Sequence, residues 1–116
     1  MTFVGIAPIF PISDLDRSLA FYAQLGFTTR AYDGGGYGFV TRDSVELHLG
    51  VVDDHASHHG SAYLRVADAD ATFAEWVAAG ASVHPPMDTE WGQHEGAIVD
   101  PDGNVIRFGS PMPGSP

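Results

Sequence analysis

The chain has 116 residues, 44% of them apolar, and fifteen carboxylates against five arginines, for a formal net charge of −10. It has neither cysteine nor lysine, which excludes disulfides, thiolate metal sites, thiol nucleophiles and Schiff-base chemistry. A negative field of this size repels phosphate backbones and anionic lipid and favours cationic small molecules, so neither nucleic acid nor a membrane is an expected partner. The length suits one domain whose halves are each too small to be stable alone. With no membrane-length apolar run and no basic leader ahead of an apolar segment, a soluble cytoplasmic protein is expected.

Residues 3–10 form an apolar run containing Val4, Ile6 and Ile9, interrupted by Pro8. Proline donates nothing to a ladder, so this strand is an edge or is irregular there. Ser13 or Asp14 caps a helix whose Leu15, Leu19 and Tyr22 follow helical spacing, and Gly26 ends it. Residues 27–32 read as a strand. Asp33-Gly34-Gly35-Gly36 is a turn and not a phosphate loop, because no lysine or hydroxyl follows at the required spacing. Residues 37–41 and 44–50 make a hairpin around Arg42 and Asp43. Residues 51–60 are a polar linker in which His55, His58 and His59 read as solvated. A second series follows: strand 61–66, helix 68–79, strand 81–84, a loop through Pro85 and Pro86, strands 96–99 and 104–109, and a loose tail 110–116.

The two series are copies. Asp14, Asp16, Ala20 and Gly26 recur 54 positions later as Asp68, Asp70, Ala74 and Gly80, with Ser18 matched by Thr72, Leu19 by Phe73 and Tyr22 by Trp76. Two copies are too few for a solenoid, so they share one core. The expected fold is α+β: two βαβββ modules, 3–50 and 61–109, forming a curved mixed-sheet cup with the helices on its outer face, in a single domain 1–116.

Alternation along the strands assigns the faces. In residues 45–49 the aliphatics Val45, Leu47 and Leu49 point to the helices, leaving Glu46 and His48 on the open face. By the same rule Ser61, Tyr63, Arg65 and Arg107 share that face. Such a polar and aromatic set in a concavity is the shape of a ligand site. Tyr32 and Tyr37 flank the glycine turn, and Trp91 sits in a loop where packing does not explain an aromatic, whereas Trp76 at helical spacing is core. The candidate ligand-binding set is Tyr32, Tyr37, Phe39, Glu46, His48, Ser61, Tyr63, Trp91, His94 and Arg107. No catalytic residue, metal ligand or cofactor is assigned. Glu46, Arg65 and Arg107 could also neutralise one another as an ion-pair network.

The paired modules, the helix signature from Asp14 to Phe27, and the segment Trp91-Gly-x-His-Glu ending in Asp100-Pro-Asp-Gly-Asn104 resemble the vicinal oxygen chelate superfamily. Within it the likeness is to the glyoxalase-like bleomycin resistance proteins, which share the openings seen here as Ala7-Pro8-Ile9-Phe10 and Leu47-His48-Leu49. The superfamily's enzymes hold a divalent metal with one side chain from the first and one from the last strand of each module. The resemblance places those positions at Ala7, Glu46, Ser61 and Arg107, of which only Glu46 is a competent ligand, and Arg107 sets a fixed cation where the ion would sit.

The resemblance therefore implies a small-molecule binding protein that sequesters a flat, partly cationic antibiotic, of the bleomycin type first, with mitomycin or enediyne-type products as further candidates. It implies a cleft between the subunits of a homodimer, with the N-terminal strand carrying Pro8 exchanged between them. A metal-dependent lyase, isomerase or dioxygenase is the alternative.

Overall fold

The computed structural model describes residues 1–54 and 58–112; His55 lies outside them. The elements are β1 (Ile9–Ile12), α1 (Leu15–Gln24), β2 (Thr28–Ala31), β3 (Tyr37–Arg42), β4 (Val45–Val51), β5 (Ser61–Arg65), α2 (Ala69–Ala78), β6 (Val83–Asp88), β7 (Gln93–Val99) and β8 (Val105–Pro111). Each module builds its own four-stranded sheet, ordered β1-β4-β3-β2 and β5-β8-β7-β6. The first and last strands of each module run parallel and the other pairs antiparallel.

The repeat is visible atom by atom at the helices. Asp14 caps α1 by accepting from the Arg17 amide at 3.0 Å, and Asp68 caps α2 by accepting from the Ala71 amide at 3.1 Å. Both helices stop at a glycine in the left-handed region, Gly26 at φ 89° and Gly80 at φ 92°, where a Cβ would be strained. The matched aromatics Tyr22 and Trp76 are fully buried, and each spends its polar atom across the module boundary. Trp76 Nε1 donates to the Leu25 carbonyl at 3.0 Å, and the Tyr22 hydroxyl donates to Asp100 at 2.9 Å. Burial, and then the charge of Asp100, push the Tyr22 hydroxyl far above its ordinary pKa.

The turn from Asp100 to Asn104 is therefore more than a turn. Asp100 accepts from the Asp102 and Asn104 amides and from the Asn104 side chain as well as from Tyr22. Asn104 also donates to the Pro11 carbonyl and accepts from the Gly60 amide. Asp102 receives Ser13, Arg17 and Ser18 of module one. Outside, Arg42 grips Glu75 through two bonds of 2.7 and 2.8 Å.

Several expected boundaries move, and β7 begins at Gln93 and not at residue 96. The first strand begins at Ile9, six residues later than expected, and runs through Pro11 to Ile12. Residues 1–8 form no strand: the Pro8 carbonyl still accepts from the His48 amide at 2.9 Å, but Phe3, Val4 and Ile6 are all more than 90% exposed. Pro85 and Pro86 lie inside β6 and not in a loop. β6 is the edge of its sheet and carries a register shift between His84 and Met87, so the missing N–H groups cost no ladder bonds. The tail starts later than residue 110, since Ser110 and Pro111 complete β8 and the buried Ser110 hydroxyl accepts from the Ala69 amide at 3.0 Å.

Candidate ligand-binding faces

The ladders define one row of side chains straight across the open face of each sheet. In module one, Arg30 pairs with Phe39, Phe39 with His48 and His48 with Ile9. Along the neighbouring strand positions of the same face lie Tyr37 and Glu46. The Arg30 guanidinium stacks 4.1 Å from the Phe39 ring centre. Tyr37, Phe39 and His48 meet edge to face, with ring centres 5.0 to 5.5 Å apart. The His48 ring is also held at both nitrogens, by the Tyr37 hydroxyl at Nδ1 and by Glu46 at Nε2, each at 2.7 Å. Four of the ten candidate residues thus form one contiguous cluster, which Arg30, absent from the sequence-based set, completes.

In module two the row is His84, Ala97, Arg107 and Tyr63. The Tyr63 hydroxyl reaches across to bond Glu95, and burial followed by that bond raises its pKa. This crossing requires Gly109, because a Cβ there would collide with the Tyr63 hydroxyl oxygen. Glu95 Oε2 is buried with no hydrogen-bond partner. Among the described residues no ion pair engages Arg65 or Arg107. The expected network of Glu46, Arg65 and Arg107 does not form, because Glu46 turns to His48. Glu95 was missed from sequence; alternation from the buried Gly96 and Ile98 would have placed it on the open face.

The remaining candidates divide. Ser61 lies on the same face as Tyr63. Tyr32 is half-exposed at the end of β2, and Trp91 is 68% exposed in the turn between β6 and β7. No ring contact joins Tyr32, Tyr63 or Trp91 to the module-one cluster among the described residues. His94 is on the wrong face. Being one residue from Glu95 it points to the helix side, where Nε2 bonds Asp70 of α2 and Nδ1 bonds Asp88 of β6, both at 2.8 Å.

The register also corrects the metal scheme. Ile9 and its repeat mate Tyr63 pair with His48 and Arg107 respectively, so His48 and not Glu46 is the counterpart of Arg107. The four corner positions become Ala7, His48, Ser61 and Arg107. One imidazole, a hydroxyl, a methyl and a guanidinium do not make a divalent-metal site, and no group of three or more histidine or acidic side chains among the described residues could hold one.

Residues 5–108 match the family model described as the Glyoxalase/Bleomycin resistance protein/Dioxygenase superfamily. The chain belongs to that superfamily. It is 30% identical over 113 residues to a bleomycin resistance protein of Klebsiella pneumoniae, covering 87% of both chains. Its fold superposes on a bleomycin-binding protein crystallised with bleomycin at a TM-score of 0.82, with 27% identity over 93% of this chain and 98% of that one. It also matches TnmS3, an antibiotic-binding protein from Streptomyces sp. CB03234, at a TM-score of 0.75 and 30% identity over 97% and 99% of the two chains. No helix among the described residues is long and apolar enough to cross a membrane.

Proposed function

We propose that this superfamily member is a binding protein that sequesters a flat antibiotic of the bleomycin type without breaking a bond in it. The observation that carries this reading is the edge-to-face cluster of Tyr37, Phe39 and His48 on an open sheet face, fixed in place before any ligand arrives. Preformed aromatic surface lowers the ordering cost of binding a flat molecule. The corner positions lack the donors for metal-assisted chemistry, and the three relatives named above bind or resist antibiotics by name.

The cleft is completed by a second copy of the chain. On the side away from β3, the edge of β4 from Val45 to Leu47 has no partner strand among the described residues, because β1 pairs only from His48 onward. Beside it, between Leu47 and the free edge of β5, runs a groove of about 360 Å³. The exposed arm with Phe3, Val4 and Ile6 has the apolar character and length to fill such a groove in a partner, giving a homodimer with exchanged arms.

Protection by sequestration needs micromolar affinity or better, about −8 kcal/mol. Titration with metal-free and copper-loaded bleomycin, followed by tryptophan fluorescence, is expected to saturate below that range. No change at about 100 μM drug rejects the bleomycin assignment. Trp91→Ala is expected to weaken binding by at least about 1 kcal/mol with the thermal midpoint unchanged, and unaltered affinity places the drug away from the β6–β7 turn.

A further inference from the structure

We propose that module one selects its ligand by hydrogen-bond polarity: Tyr37 Oη and the second carboxylate oxygen of Glu46 act together as acceptors, so the favoured ligand is a flat molecule presenting N–H donors. The inference rests on the reading of this face as a binding face. It follows from the direction of one relay.

A carboxylate only accepts, so the bond between Glu46 Oε2 and His48 Nε2 places a proton on Nε2. In the neutral ring the other nitrogen then carries a lone pair, and the only proton available to the 2.7 Å bond at Nδ1 is that of the Tyr37 phenol. Tyr37 thereby spends its single donor inside the protein. What remains on its oxygen is acceptor capacity, and the oxygen is held by the ring packing against Phe39 and His48. Glu46, whose side chain is 53% exposed, keeps its other oxygen for the ligand. Arg30 stands on β2 with its guanidinium face over the Phe39 ring, separated by β3 from Glu46 and His48 on β4. A ligand with a carbonyl or carboxylate edge meets two acceptors and leaves them unpaired on burial, the costly outcome; an amine, amidine or amide N–H satisfies both.

Two flat probes of the same skeleton test this: 9-aminoacridine, which offers N–H donors, and acridine-9-carboxylate, which offers acceptors. Because the charge of −10 favours any cation, the deciding comparison is the neutral substitution Tyr37→Phe. It is expected to weaken 9-aminoacridine about fivefold or more and to leave the carboxylate unchanged. Unchanged affinity for 9-aminoacridine, equal losses for both probes, or no binding of either by the wild-type protein at about 1 mM overturns the proposal. Glu46→Gln, which turns an acceptor into a donor, is expected to narrow the preference between the probes; an unchanged ratio counts against it.

A second measurement needs no variant and no ligand. Long-range nitrogen–proton spectra of the wild-type protein above pH 7 are expected to show His48 as the Nε2–H tautomer, and the Nδ1–H tautomer or a doubly protonated ring overturns the relay. Bleomycin titrated into the same proteins separates the two levels. Bleomycin bound equally by wild type and Tyr37→Phe sinks the polarity rule and spares sequestration, whereas 9-aminoacridine selected through Tyr37 with no bleomycin bound does the reverse.

Discussion

The two open faces are built on one backbone plan and use it in opposite ways. Across module one the row reads Arg30, Phe39, His48, Ile9; across module two the corresponding row reads His84, Ala97, Arg107, Tyr63. Module one ties Tyr37, His48 and Glu46 to one another, so its surface is a fixed aromatic shelf with its hydrogen-bond directions already chosen. Among the described residues, module two leaves Arg65 and Arg107 without an ion pair and a Glu95 carboxylate oxygen buried without a partner. The helices, caps and stops stayed alike because the shared core constrains them. The faces diverged because nothing in the fold constrains them, which makes them the places where function is written.

The comparison assumes that both faces hang on a common support, and Asp100 is that support. It ties the hydroxyl of α1's Tyr22 to two amides and a side chain of the β7–β8 turn. Asp100→Ala leaves several buried groups unpaired, and a loss of about 3 kcal/mol in urea unfolding is expected. A loss below about 1 kcal/mol would show that the modules are held together by apolar packing alone.

A smaller effect separates the faces themselves. His48→Ala removes both bonds of the relay and two ring contacts, and is expected to cost about 1 kcal/mol of stability. Arg107→Gln, at the matching position, breaks no ion pair and is expected to change stability by less than about 0.5 kcal/mol. Equal costs in urea unfolding would dissolve the contrast between a self-satisfied face and an unsatisfied one.

Much of this was legible in the sequence, for physical reasons that differ by residue. The repeat and the period of two placed Glu46, His48, Tyr63 and Arg107 on the open face, because a strand allows a side chain only two directions. The Tyr37 to His48 contact was not legible, since it depends on the lateral register of β3 against β4, which alternation leaves open. The same blindness paired Glu46 with Arg107 in place of His48. Residues 3–10 read as a strand because their composition is that of one; only Ile9 and Phe10 of them find a ladder partner among the described residues, and composition carries no information about partners. His94 shows the sharpest failure. It belongs to the candidate ligand-binding set, yet it bonds Asp70 and Asp88 on the helix side, and it is Glu95 beside it that holds the open face.

His94 also marks a difference between the modules that pH exposes. Asp70 recurs in module one as Asp16, but three residues before Phe39 module one has Gly36, where three residues before Ala97 module two has His94. Only module two therefore pins its outer hairpin to its helix through a histidine. Both ring nitrogens face carboxylates, an arrangement that uses both donors of the imidazolium. The bond to Asp70, and then that to Asp88, raise the His94 pKa above its ordinary 6.5. A raised folded-state value means the charged form is the one folding favours. Its stabilisation is present in full below about pH 6.5 and is lost as pH rises through the folded-state value. The effect is the smallest expected here, because solvent screens the pair of bonds. Thermal midpoints of wild type and His94→Gln are expected to differ most near about pH 6 and to converge toward about pH 9. A gap independent of pH would mean that packing, and not protonation, holds the β6–β7 hairpin and the Trp91 turn on α2.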